Sequence, residues 1–137
     1  MIDIENSIFT MIATPLREKY EDIFITGEEV LNPSKFPCVS IVETDNYITQ
    51  SHIDNGDNEK YATIIYTVNV YSNKTSGKKS ECKDIMKTID EMLYKKNFKR
   101  IETSPISMED ATIYRIVARY RAETDGQNIY RIWKECD

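Results

Sequence analysis

Tyr61-Ala-Thr-Ile-Ile-Tyr-Thr-Val-Asn-Val-Tyr71 alternates. Ala62, Ile64, Tyr66, Val68 and Val70 fall on one face, while Tyr61, Thr63, Thr67 and Asn69 fall on the other, with Ile65 and Tyr71 as apolar exceptions. Period-two patterning with β-branched and aromatic residues predicts a long strand with one face on a core, as in an antiparallel sheet. A polar turn follows. Then Cys82, Ile85, Met86, Ile89, Met92, Leu93 and Lys96 recur on one stripe of a helix over 78–96, the pattern of a core-facing helix. Asn97 can supply its left-handed stop. Thr112-Ile-Tyr-Arg-Ile-Val-Ala-Arg-Tyr-Arg-Ala122 alternates again, with Tyr114, Ile116, Ala118, Tyr120 and Ala122 opposite Arg115, Val117, Arg119 and Arg121. Strand, helix and strand define one unit whose core is expected to hold Ile64, Tyr66, Val68, Ile85, Met86, Ile89, Leu93 and Ile116.

The flanking segments dress this unit. Ile4, Ile8, Met11, Ile12 and Leu16 predict a helix over 2–20, which either kinks at Pro15 or restarts there with Thr14 as cap. Asp22–Thr26 and Pro37–Glu43 read as strands. Thr44–Lys60 is rich in Asp, Asn and Gly and reads as a long loop. Phe98–Thr103 reads as a strand ending in a Ser104-Pro105 turn, and Asp125-Gly126 as a hairpin turn returning into a strand over 128–133. The expected fold is α+β: a mixed, mostly antiparallel sheet of about five to six strands flanked by an N-terminal helix and a central amphipathic helix. The 137 residues suit one domain.

Composition excludes several classes. No apolar run approaches the roughly 20 residues of a spanning helix, and the acidic N-terminus lacks the basic and apolar regions of a signal peptide; a cytoplasmic site of synthesis is expected, without membrane association. Cys38, Cys82 and Cys136 are odd in number and lack Cys-x-x-Cys spacing, so neither a disulfide framework nor, with His52 as the only histidine, a zinc module is expected. The Asp54-Asn-Gly-Asp-Asn58 cluster does not have EF-hand spacing. No glycine-rich phosphate loop and no Ser-His-Asp set is present, so no enzyme activity and no cofactor is expected.

Charge is uneven. Residues 1–60 hold 12 acidic and 4 basic side chains, residues 61–137 hold 11 and 14. Complementary, non-identical patches are what head-to-tail rings require. The arginine stripe Arg115, Arg119 and Arg121, with Arg131 on the next strand, is the one constellation that suggests a surface. Tyr114 and Tyr120 point away from it, so it lacks the interleaved aromatics of a nucleic-acid platform. A basic face meeting acidic side chains of a neighbouring subunit is the preferred reading, with a solvated face as the alternative.

Four strings carry a resemblance: Ile4-Glu-Asn-x-Ile-Phe9, Tyr66-Thr-Val-Asn-Val-Tyr71, Gly77-Lys-Lys-Ser-Glu-Cys-Lys83 and Asp110-Ala-Thr-Ile-Tyr-Arg-Ile-Val-Ala-Arg-Tyr-Arg121. Together with the order helix, strand, strand, loop, strand, helix and three strands, the chain resembles the tail-terminator (tail-completion, tail-to-head joining, minor capsid) proteins of long-tailed phages and prophages. The resemblance implies a structural protein of the virion, assembled in the host cytoplasm as a homohexameric ring at the head-proximal end of the tail tube. It implies as partners the major tail tube protein and the head–tail connector protein, with DNA passing through the lumen unread. The arginine stripe and the loop with Tyr47, Asp54 and Asp57 are the candidate interface residues. The alternatives are a head-closure or adaptor component of the connector, and a small regulatory nucleic-acid-binding domain.

Overall fold

The computed structural model describes residues 1–48 and 61–130. Eight elements follow in the expected order: α1 (Glu5–Lys19), β1 (Phe24–Thr26), β2 (Cys38–Ile48), β3 (Ala62–Ser72), α2 (Lys78–Lys95), β4 (Lys99–Ile106), β5 (Tyr114–Thr124) and β6 (Ile129–Tyr130). The six strands form one open mixed sheet in the order β1-β2-β3-β5-β4, with β6 paired to β5 beyond the end of β4. All pairs are antiparallel except β1 with β2. The fold is α+β.

The alternation read in the sequence sets the two faces. Ile64, Tyr66, Val68, Val70, Ile116, Ala118, Tyr120 and Ala122 join Ile85, Ile89 and Leu93 of α2 and Ile8, Ile12 and Leu16 of α1 in one buried cluster. Both helices therefore cover the same face. They are also tied to each other, since Tyr20 donates to Asp84 and Lys19 donates to Thr88 at 3.1 Å. The helix ends follow local rules. Asp3 accepts the Glu5 N–H at 3.0 Å, Ser72 donates to Glu81 in the first turn of α2 at 2.6 Å, and Asn97 stops α2 at φ 67.

Two strand expectations are corrected, and of the two readings of Pro15 the restart is overturned. α1 continues through Pro15 as one helix. The ring is exposed, and Ile12, Ala13 and Leu16 on either side of it are buried in the same cluster, so tertiary packing holds the helix across the missing bond. β2 does not end at Glu43 but continues to Ile48, absorbing the turn-forming Asp45 and Asn46 through a bulge between Glu43 and Asp45. Ser104-Pro105 is not a turn but part of β4. β4 is an edge strand, where a proline need not donate to the ladder.

The parallel β1–β2 pair has a further consequence. A parallel neighbour requires the chain to travel back along the sheet, and residues 27–37 do so over the helix-free face. There Ser40 Oγ donates to the Glu28 carbonyl at 2.8 Å and the Tyr71 hydroxyl donates to the Val30 carbonyl at 2.5 Å. Cys38, Ser40, Asn69 and Tyr71 are accordingly buried, although alternation predicts a partly polar, half-solvated face.

Candidate functional site

Register lays the helix-free face out in rows. Tyr71 pairs with Arg115 and Ile106 follows on β4. Asn69, Val117 and Ser104 form the next row, then Thr67, Arg119 and Glu102, then Ile65, Arg121 and Lys99. At the far end Tyr47, Thr63, Glu123 and Tyr130 share a row. The structure thus brings Arg115, Arg119, Arg121 and Tyr47 onto one face. Arg131, Asp54 and Asp57 lie outside the described residues.

The three arginines are not equivalent. Arg115 is half-buried, donates through Nε to Asn69 Oδ1 at 2.9 Å and stacks over the Tyr71 ring, with Cζ 5.2 Å from its centroid. That geometry is a cation–π clamp on a buried phenol. Burial raises the Tyr71 pKa, and the Arg115 charge partly offsets the rise. Arg119 reaches Glu102 on β4 at 3.9 Å, a half-exposed ion pair of small energetic weight. Arg121 is exposed and has no ion-pair partner among the described residues. The expected basic stripe is therefore one structural clamp, one neutralised pair and one open cation. Tyr120 is buried and Tyr114 half-buried on the opposite face. Of the exposed aromatics on the arginine face, Tyr47 and Tyr130 sit at its far end and Phe24 at the β1 edge, in register with Cys38 and Tyr71.

The thiols are structural. Burial pushes Cys38 up to about 11 and Cys82 up to about 12, so both stay protonated at neutral pH. Cys82 donates to the carbonyls of Tyr114 at 3.4 Å and Val70 at 3.6 Å. Among the described residues no group of three His, Cys, Asp or Glu side chains is placed to hold a metal, and no helix is long and apolar enough to cross a membrane.

Two surfaces escape sequence reasoning. Every residue of β4 is exposed, including Ile101 and Ile106. Between β4 and α2 lies a groove of about 270 Å³ with Met86 and Ile116 in its floor and Lys83, Lys87 and Arg100 on its rim. Over the helix-free face the connector between β1 and β2 presents Leu31, 67 % exposed, beside the exposed Glu28 and Glu29. The groove exists because β4 carries polar Arg100 and Thr103 toward α2 where β3 and β5 carry apolar residues. A strand with no apolar alternation was the available signal.

A comparison of the chain with protein-family models finds no match, and a comparison with curated proteins likewise finds none.

Proposed function

We propose that the chain is a virion assembly protein that forms a ring at the head-proximal end of a phage tail tube, ends tube polymerisation and joins the tail to the head connector. Its role is structural rather than catalytic. The resemblance of its strings to tail-terminator proteins motivates this reading. The observation that carries it is the chemical inequality of two segments on different faces of one open sheet. Residues 18–35, which include β1 and the connector after it, hold five acidic and two basic side chains, and residues 78–106, which include α2 and β4, hold eight basic and five acidic. A rigid body with unlike, complementary surfaces assembles head to tail, and such contacts close into rings when the rotation permits.

Electron microscopy of particles assembled without this protein tests the proposal. Free heads and abnormally long tail tubes are expected. Tails of normal length attached to heads would refute it.

A further inference from the structure

We propose that the acidic connector Glu28-Glu29-Val30-Leu31 of one copy seats in the groove between α2 and β4 of the next copy, with Leu31 on the apolar floor and Glu28 and Glu29 against its basic rim. The contact rests on the ring reading and names the surfaces that would build it.

The connector has the properties of a preformed anchor. Its backbone is pinned at two successive points, by Ser40 to the Glu28 carbonyl and by Tyr71 to the Val30 carbonyl. Tyr71 is itself fully buried and clamped by Arg115. The segment therefore enters a contact with little backbone freedom left to lose, which is how preorganisation favours binding. Its largest apolar side chain is turned away from the fold, since Leu31 is 67 % exposed. An isolated exposed leucine is ordinary. Here it is held on a fixed acidic connector over the helix-free face, and the matching surface opens on the other face of the sheet, beside β4.

The groove supplies the complement. Met86 and Ile116, each only slightly exposed, give an apolar floor. Lys83 and Lys87 are one turn apart on α2 and face it together. Arg100 rises from β4, held by Asp90 at 3.3 Å, and Asp90 is also satisfied by the Tyr120 hydroxyl at 2.9 Å. With Asp90 committed to Arg100 and Tyr120, the two lysines are rim cations that make no ion pair among the described residues. An apolar anchor seated in a pocket whose rim excludes water is the arrangement of an interface hot spot.

The contact joins unlike surfaces. The connector lies over the helix-free face, held by Ser40 of β2 and Tyr71 of β3, whereas the groove opens on the helix-bearing face between α2 and β4, so one copy cannot fill its own groove. Repeated from copy to copy by one rotation the contact gives a chain or a ring, and a reciprocal exchange between two copies would stop the crosslink ladder at the dimer and overturn the ring contact.

The test uses the full-length chain with Cys136→Ser as background, so that Cys38 and Cys82, both buried, are the native thiols left. Leu31→Cys and Lys87→Cys in the same chain should crosslink under mild oxidation into a ladder of covalent oligomers. A mixture of the two single variants should stop at the mixed dimer. By light scattering across concentration, Leu31→Ala should raise the assembly midpoint about 10- to 150-fold, the value of one buried leucine. Glu28→Lys with Glu29→Lys should abolish assembly, as should Lys83→Glu with Lys87→Glu, and a mixture of the two reversed chains should recover pairwise association. All these positions are exposed, and an unchanged thermal midpoint checks that each variant folds.

Oligomers that survive both reversals, or crosslinks only between identical positions, would overturn this contact while leaving the ring reading intact. A chain monomeric at every concentration and silent to crosslinking would also overturn it. The ring reading falls separately, on particles that form normal tails without the protein.

Discussion

Replacing Tyr66 by phenylalanine should make this protein more stable. Tyr66 is fully buried on β3, and its hydroxyl has no hydrogen-bond partner among the described residues. Its ring contributes normally, meeting Phe98 edge-on with centroids 5.6 Å apart, and phenylalanine keeps that contact. Only the hydroxyl is lost. A buried polar group without a partner costs about 1–3 kcal/mol in desolvation. Removing it should therefore gain about 1 kcal/mol, or about 3–5 °C in Tm for a domain of this size. The neighbouring strand supplies the control. Tyr120 is the register partner of Tyr66 across β3 and β5 and equally buried, but its hydroxyl donates to Asp90 at 2.9 Å. Tyr120→Phe should lose about 1.5–3 kcal/mol, the range for a hydrogen bond to a charged group. Urea and thermal unfolding of both variants measure the two signs side by side. Two losses of similar size would refute the reasoning, because they would mean that the Tyr66 hydroxyl is satisfied in solution.

Glu43, opposite Tyr66 in the ladder, should make stability depend on pH. Burial raises its pKa, repulsion from Glu5 and Asp3 adds to the rise, and the Asn46 hydrogen bond partly offsets it. A carboxyl raised in the fold favours the protonated state, so its contribution is full below the unfolded value and is lost as pH rises through the folded one. Glu43→Gln should be more stable than the parent at pH 7, with the difference shrinking toward pH 4, as read by urea titrations at both values. At the end of α2, Asn97 has φ 67 and its amide donates to the Ile129 carbonyl at 2.8 Å. Asn97→Ala should cost about 2 kcal/mol from left-handed strain and the lost bond together. Asn97→Gly should recover the backbone part alone, a split that denaturant unfolding resolves.

The elements of this fold were readable where one physical pattern acted alone. The period-two faces of β3 and β5 and the apolar stripe of α2 each answer to burial, and the buried cluster contains most of the residues that those patterns select, with Met92 and Tyr114 half-buried against it and Lys96 exposed. Reading failed where a tertiary partner overrode a local preference. Asp45 and Asn46 favour a turn, yet a bulge carries them into the ladder with β3. Ser104-Pro105 favours a turn, yet β5 holds it as an edge. The candidate surface divides along the same line. That Arg115, Arg119 and Arg121 share a face follows from alternation. That Arg115 is spent on Asn69 and Tyr71 depends on register between distant strands, which no window of sequence contains. The parallel β1–β2 pair was equally invisible, and with it the connector that crosses the face and fixes Glu28 and Val30.

The free edge of β4 bears on how copies of this chain could meet. An exposed edge strand invites backbone pairing with another chain, and proteins guard against it with bulges, charges and prolines. β4 has all three: a register shift between Arg100 and Glu102, Lys99 and Arg100 at its start, and Pro105 near its end. A proline in an edge strand turns its missing donor outward, so a strand added along β4 would lose its ladder at both ends. β1, at the opposite edge, has three residues, too few to template a long partner. Continuous strand addition between copies is therefore disfavoured at both edges. What each edge still offers is side chains: a rimmed groove beside β4 and a pinned, leucine-bearing connector beside β1. Contacts made by side chains in a groove have a fixed register, whereas strand edges can slip by two residues and still pair. A ring needs one rotation repeated at every contact. An edge that resists strand addition but presents a shaped groove is compatible with that requirement.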